Sequence, residues 1–207
     1  MPPRPRAISL RRVRRARVPQ RFFDARWLPA YLAVVGLLWH ARPEPGSLVA
    51  GGLLMLLGAG LRVWGLGHLV KTERLIRSGP YAYLRHPLYA GTLLIGVGLL
   101  LAAGGPVAPV AAASLLPLFF FYYLPYKERI ESARLERRYG DTYRAYRASV
   151  PALLPQGRRW PPAGRHAAAG PAPRWSAERF RASSEGWTLL ALAGGMATLL
   201  TRFVVAG

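Results

Sequence analysis

Five apolar runs set the terms on which this chain can fold. They lie at residues 27–40, 47–67, 89–105, 106–126 and 186–206. A helix that crosses the hydrocarbon core needs about 20 apolar residues at 1.5 Å each, and the second, fourth and fifth runs reach that length. The first and third are shorter and span only with flanking residues or a thin bilayer. A short apolar run is otherwise a buried core helix, but five runs in 207 residues leave too few amphipathic segments to cover them. The pattern predicts an all-α, polytopic membrane protein of about five transmembrane helices.

Charge placement orients those helices. The chain carries 29 Lys and Arg against 9 Asp and Glu, a formal net charge of +20, although 52% of its residues are hydrophobic. Nucleic-acid-binding proteins carry such charge but are seldom this apolar, so no nucleic-acid partner is expected. Disorder throughout requires low hydrophobicity. A membrane reconciles the two properties. Nine Arg lie in residues 1–26, four bases in 68–88 and thirteen in 126–185, which puts 26 of the 29 on one side of an alternating topology. Arg42 and Arg202 lie toward the other side, and Arg62 sits near the basic-side end of its run. The positive-inside bias then places the N-terminus and both long loops in the cytoplasm. The Arg-rich start also fits a transit peptide. Bases this dense before a first span orient it equally well, and the segment reads as a cytoplasmic arm.

No cysteine is present, which excludes a disulfide framework, a thiolate zinc site and a cysteine nucleophile. The second, third and fourth runs contain no Asp or Glu, and Arg62 is their only base. Pumps and transporters place ionisable groups within the bilayer despite the cost, so any chemistry is expected at the cytoplasmic face. The chain divides into a basic arm (1–26), a membrane core (27–154), a Pro/Arg-rich linker (155–185) and a C-terminal membrane helix (186–207).

Two polar islands interrupt this plan. Residues 71–91 read KTERLIRSGPYAYLRHPLYAG. Ser78-Gly79-Pro80 is turn chemistry, and Pro87 breaks any helix and holds His86 extended. Tyr81, Tyr83 and Tyr89 surround Arg85 and His86 where the next span begins. An interfacial tyrosine belt with a snorkelling Arg explains the tyrosines but not His-Pro at the mouth of a helix. In residues 127–155, Leu135, Tyr139, Tyr143 and Tyr146 fall at helical spacings. Glu128, Glu131 and Glu136 lie near bases, as on an exposed helix. Periodicity alone favours a solvated amphipathic helix on the membrane surface, with Glu128 and Glu136 as ordinary surface acids.

In order, the islands resemble the isoprenylcysteine carboxyl methyltransferases and the related phospholipid methyltransferases, small membrane enzymes that use S-adenosylmethionine. That family shares Gly-x-Tyr…Arg-His-Pro-x-Tyr-x-Gly, then a pair of spans. An acidic pair follows eight and nine residues before Phe-Gly, with Tyr-x-x-Tyr and Pro downstream. Gly79, Tyr81, Arg85, His86, Pro87, Tyr89 and Gly91 fill the first block. Glu131 stands nine residues before Gly140, Tyr139 replaces the Phe, and Tyr143, Tyr146, Val150 and Pro155 follow in place. The resemblance covers roughly residues 47–155. It implies a cytoplasmic cofactor site at Glu73, Arg74, Leu75, Ile76, Tyr81, His86, Pro87, Leu88, Tyr89 and Glu131. It also implies a prenylated or other lipid-like acceptor, whose carboxylate is held in the isoprenylcysteine branch by an Arg at the position of Lys127. Two further departures are Ser132 in place of the second acid and Glu73 where the family often has His. Lys for Arg removes a bidentate fork and leaves a point charge.

The chemistry fits these residue types. S-adenosylmethionine carries an ammonium, a ribose diol and a purine, which call for a carboxylate and flat apolar walls. Glu131 and the tyrosines supply both, and a sulfonium is attracted to aromatic faces. Methyl transfer is an in-line displacement that gains chiefly from positioning. A carboxylate nucleophile needs no base, whereas an ammonium must first lose a proton. His86 is a possible base, although a backbone-positioning role suits it better. No divalent metal is required and no metal-ligand spacing is present. Phospholipid amine N-methylation, to which Gly65-Leu66-Gly67 is weakly similar, is the alternative enzymatic reading. A non-catalytic scaffold whose basic arms bind anionic lipid is the alternative outside enzymes.

Overall fold

The computed structural model describes residues 28–69, 75–160 and 174–206. The basic arm, Glu73 and Arg74 of the cofactor set, and residues 161–173 of the linker lie outside the described residues. Helices are α1 (Leu28–Trp39), α2 (Pro45–His68), α3 (Pro87–Ala103), α4 (Val107–Pro117), α5 (Leu124–Tyr139), α6 (Asp141–Ser149), α7 (Ala177–Arg181) and α8 (Glu185–Ala206). Among the described residues there is no strand, only an isolated bridge between Arg42 and Gly104. The fold is all-α, as the apolar pattern predicts.

Among the described residues, three helices are long and apolar enough to cross a membrane: Pro45–His68, Val107–Tyr139 and Glu185–Val205. The 17-residue α3 and the 12-residue α1 are shorter. Large apolar side chains point outward from these helices, including Leu56, Val110, Phe121 and Val205. Such an exterior suits lipid, where helices satisfy their own backbone groups and need no polar face.

The 33-residue stretch Val107–Tyr139 joins the fourth apolar run to the second polar island without a break. At 1.5 Å per residue it is about 50 Å long, so its polar end projects well past a hydrocarbon core of about 30 Å. A π-helical turn, Leu118–Tyr123, links α4 to α5. Pro125 lacks an N–H and crowds the carbonyl four residues earlier, that of Phe121, which favours this local widening. Gly140, at φ 49°, ends α5, and α6 turns away. The second island is therefore two helices, not one continuous amphipathic helix.

The closest packing joins α2 to α3. Gly51, Gly58 and Gly65 recur every seven residues along α2 and face Gly98, Gly91 and Pro87–Leu88 of α3. A Cβ on Gly58 would stand 2.6 Å from the Gly91 carbonyl, so only glycine permits this approach. Small residues let membrane helices gain dispersion contact backbone to backbone. Away from the basic islands, Arg42 N–H donates to the Ala103 carbonyl at 2.9 Å. A buried cluster of Leu37, Leu48, Leu100, Ala103 and Leu199 closes that end.

Candidate active site

The first island is held in shape by a strap. Gly79 takes φ 60°, with the His68 ring where a Cβ would stand, and opens a 3-10 turn, Gly79–Ala82. The segment 82–86 then pairs with residues 151–160. Arg85 N–H donates to the Pro151 carbonyl at 2.8 Å and His86 N–H to Ala152 at 3.0 Å. Gln156 and Trp160 N–H donate to Tyr83 and Ala82, each at 3.0 Å. The Tyr146 hydroxyl donates to the Tyr81 carbonyl at 2.7 Å. Tyr143, Tyr146, Val150 and Trp160 form a buried cluster beneath the strap, and burial of a residue such as Val150 contributes about 1.5–3 kcal/mol. The start of the expected linker is thus part of the site's framework.

Pro87 begins α3 rather than ending a helix, since its missing N–H falls among donors that have no helical partner anyway. His86 is the N-cap, at φ −122° and ψ 63°. It is less extended than a residue before proline usually is, because its carbonyl receives the N–H groups of Tyr89 and Ala90. Its ring stacks on Tyr89 with centroids 5.2 Å apart. Nδ1 lies 3.6 Å from Glu131 Oε2, and Nε2 is buried without a protein hydrogen-bond partner. Burial holds the imidazole pKa below its ordinary value, a shift that Glu131 opposes and Arg85 reinforces. Burial likewise pushes the Tyr81 and Tyr146 phenols up.

Glu131 reaches this turn from α5 and accepts a 2.5 Å hydrogen bond from the Tyr89 hydroxyl. One turn earlier, Glu128 pairs with Arg85 at 2.8 Å, both partners largely buried. Glu128 is therefore no ordinary surface acid, whereas Glu136 pairs with the exposed Arg144. Ser132 is buried and hydrogen-bonds the Tyr143 hydroxyl at 2.8 Å, so the place of the family's second acid serves to join α5 to α6.

These contacts shape an open cavity of about 440 Å³, within the range of small-molecule sites. Leu75, Ile76, Tyr81, His86, Pro87, Leu88, Tyr89 and Glu131 all line it. Every described residue of the expected cofactor set is present. Lys127 is not. Its Nζ lies 5.9 Å from the Tyr123 ring centroid, and Tyr123 meets Tyr89 edge-on. Sequence reasoning missed Leu69, Arg85, Arg134, Leu135, Arg138, Tyr139, Tyr143 and Tyr146 as wall residues. Glu131, Arg134, Leu135, Arg138 and Tyr139 share one helical face, and that periodicity was the available signal. Among the described residues no three of His, Asp and Glu gather as a metal-binding group.

A family model described as phospholipid methyltransferase matches residues 47–142, which contain both islands. The protein-S-isoprenylcysteine O-methyltransferase B of Arabidopsis thaliana is 32% identical over 93 residues, covering 42% of this chain and 45% of that protein. The protein-S-isoprenylcysteine O-methyltransferase of Schizosaccharomyces pombe is 34% identical over 95 residues, covering 42% and 38%. Across these residues the chain is similar to the isoprenylcysteine carboxyl methyltransferase and phospholipid methyltransferase family. Another relative carries a different name: the nickel-cobalt-cadmium resistance protein NccN of Alcaligenes xylosoxydans xylosoxydans, 28% identical over 65% of this chain and 54% of its own length. The chain spans about half the length, or less, of these family relatives. No solved structure matches. The three long apolar helices and the likeness to membrane methyltransferases support an integral membrane protein.

Proposed function

We propose that this protein is an integral membrane methyltransferase that moves a methyl group from S-adenosylmethionine to a lipid-like acceptor, in the manner of isoprenylcysteine carboxyl O-methylation. One observation carries the reading. Two sequence blocks that resemble the family's cofactor-binding blocks converge on a single cavity, with Glu131 bonded to Tyr89 across it. Glu73 and Arg74 extend the proposed set outside the described residues.

S-adenosylmethionine supplies a methyl group on a sulfonium. The chain's own residues bind and align it. Glu131 accepts hydrogen bonds from the donor's polar groups, and Tyr89 holds that carboxylate in place. The faces of Tyr81 and Tyr89 suit a cation, while Leu75, Ile76 and Leu88 keep water from the apolar wall. Holding nucleophile, methyl and sulfur in line accounts for much of the acceleration. A carboxylate acceptor needs nothing more. For an ammonium acceptor a proton must leave first, and His86, kept neutral by burial, is the wall residue able to take it. On the membrane side of Glu131, Lys127 is proposed to hold the acceptor carboxylate.

The phospholipid methyltransferase description of the matching family model favours a second reading, amine methylation. Labelled S-adenosylmethionine binding to detergent-purified protein tests the methyltransferase reading against a non-catalytic scaffold, and absence of binding rejects both enzyme readings. A screen of prenylcysteine and phosphatidylethanolamine acceptors then separates the two. In the first case Lys127→Ala lowers turnover at saturating cofactor and Lys127→Arg retains it. An unchanged rate in Lys127→Ala rejects the carboxylate grip.

A further inference from the structure

Two guanidinium groups on the cavity wall have no role in the site described above. Arg134 and Arg138 lie one turn apart on α5 and line the cavity together with Glu131. Their neighbours are engaged. Arg85 pairs with Glu128, Arg144 with Glu136 and Asp141, and Arg137 donates to the Ala133 carbonyl of its own helix. Among the described residues neither Arg134 nor Arg138 has an ion-pair partner. Arg138 instead rests over the Tyr139 ring, 5.8 Å from its centroid, and Tyr139 is itself a wall residue. With Arg85 neutralised and His86 uncharged at neutral pH, the wall presents one carboxylate and two unpaired guanidinium groups. That is the complement of a ligand carrying both donors and an anionic group.

We infer that Arg134 and Arg138 form the subsite for the carboxylate at the amino-acid end of the methyl donor; this rests on the methyltransferase reading above. Position along the helix selects the donor over the acceptor. From the apolar end toward water, the face of α5 and the turn before it presents Tyr123, Lys127, Glu131, Arg134 and Arg138 in sequence. An acceptor arriving from the hydrocarbon meets Tyr123 and Lys127 first, whereas a water-borne donor meets the two arginines. A guanidinium binds a carboxylate through paired, charge-assisted hydrogen bonds, and two of them one turn apart bracket a single carboxylate. The two arginines thus set the orientation of the donor, with its anionic end at the water side of the cavity.

The test uses the full chain in detergent micelles and two ligands, S-adenosylhomocysteine and 5′-methylthioadenosine, the latter lacking the amino-acid end. Arg134→Gln with Arg138→Gln is expected to weaken S-adenosylhomocysteine binding at least about 10-fold, the loss of one charge-assisted contact or more. Binding of 5′-methylthioadenosine is expected to stay within about 2-fold, and the control Arg137→Gln to change neither. Arg134→Lys with Arg138→Lys should recover part of the loss, since charge remains without the fork. Equal losses for both ligands overturn the inference, because they mean a disturbed cavity. Unchanged affinity for both overturns it as well. Failure of the wild-type protein to bind either ligand is a separate result, which removes the methyltransferase reading and the inference with it.

Discussion

Arg62 of α2 and Glu185 of α8 form a bidentate ion pair, Nε to Oε1 at 2.6 Å and Nη2 to Oε2 at 2.7 Å. The remaining Arg62 nitrogen donates to the Leu88 carbonyl at 3.2 Å and to Thr92 Oγ1 at 2.6 Å. Glu185 is buried. One side chain therefore fastens the C-terminal helix to the first turns of α3, directly behind the Leu88–Tyr89 wall of the cavity.

Removing one partner of such a pair leaves a buried charge uncompensated, at a cost of about 3–5 kcal/mol. Glu185→Ala is expected to lower the thermal midpoint in detergent far more than Glu178→Ala, whose side chain is exposed. The double change Arg62→Gln with Glu185→Gln should cost less than the sum of the single changes, as coupled groups do. Additive losses would mean that the two residues act independently.

Glu131 and Tyr89 lead to a binding prediction. Glu131→Ala should weaken S-adenosylmethionine binding by about 10- to 150-fold, the worth of a charge-assisted hydrogen bond of about 1.5–3 kcal/mol. Tyr89→Phe removes only the positioning bond and should cost less. Glu136→Ala is the control, since Glu136 pairs with Arg144 outside the cavity wall. Titration of the three variants with labelled cofactor decides, and equal losses at Glu131 and Glu136 would indicate a general electrostatic effect.

His86 sets a pH dependence whose sign follows from burial. Its pKa is depressed in the folded chain, chiefly by desolvation, against about 6.5 when unfolded. The unfolded chain therefore takes up a proton first as pH falls, and stability that is fully present above about pH 6.5 declines toward the folded pKa. Thermal melts from pH 8 to 5 should show the wild type losing stability more steeply than His86→Gln. Parallel curves would reject this.

Reporter fusions after Pro45 and after Pro155 test topology. The charge bias puts them on opposite sides, with Pro155 cytoplasmic. Signal from the same side at both positions would reject the orientation.

How much was legible depended on the range of the interaction. Helix positions were readable because hydrocarbon imposes a local composition rule, and α2, α3 and α8 lie within two residues of their apolar runs. Both blocks that line the cavity were readable because each is a short motif whose members lie within a few residues of one another. Ser132 was not. It appeared as a missing acid, and only the approach of Tyr143 from α6 shows why a small hydroxyl belongs there. Trp160 sat in a stretch whose prolines and arginines suggest a linker, yet it is 4% exposed, with the Arg77 guanidinium 4.7 Å above its ring.

By itself the sequence determined the helical class, the apolar spans and the two short blocks whose residues line one cavity, since hydropathy and short-range turn chemistry act within a few residues of chain. Tertiary structure alone decided which charges are free and which are spent. Arg62, Arg85 and Arg134 are alike in sequence, but Glu185 closes on the first across 123 residues, Glu128 on the second, and no acid among the described residues on the third. The reason is physical. An ion pair depends on a few ångströms of separation and on how far both groups are removed from water, and neither quantity exists until distant helices have packed.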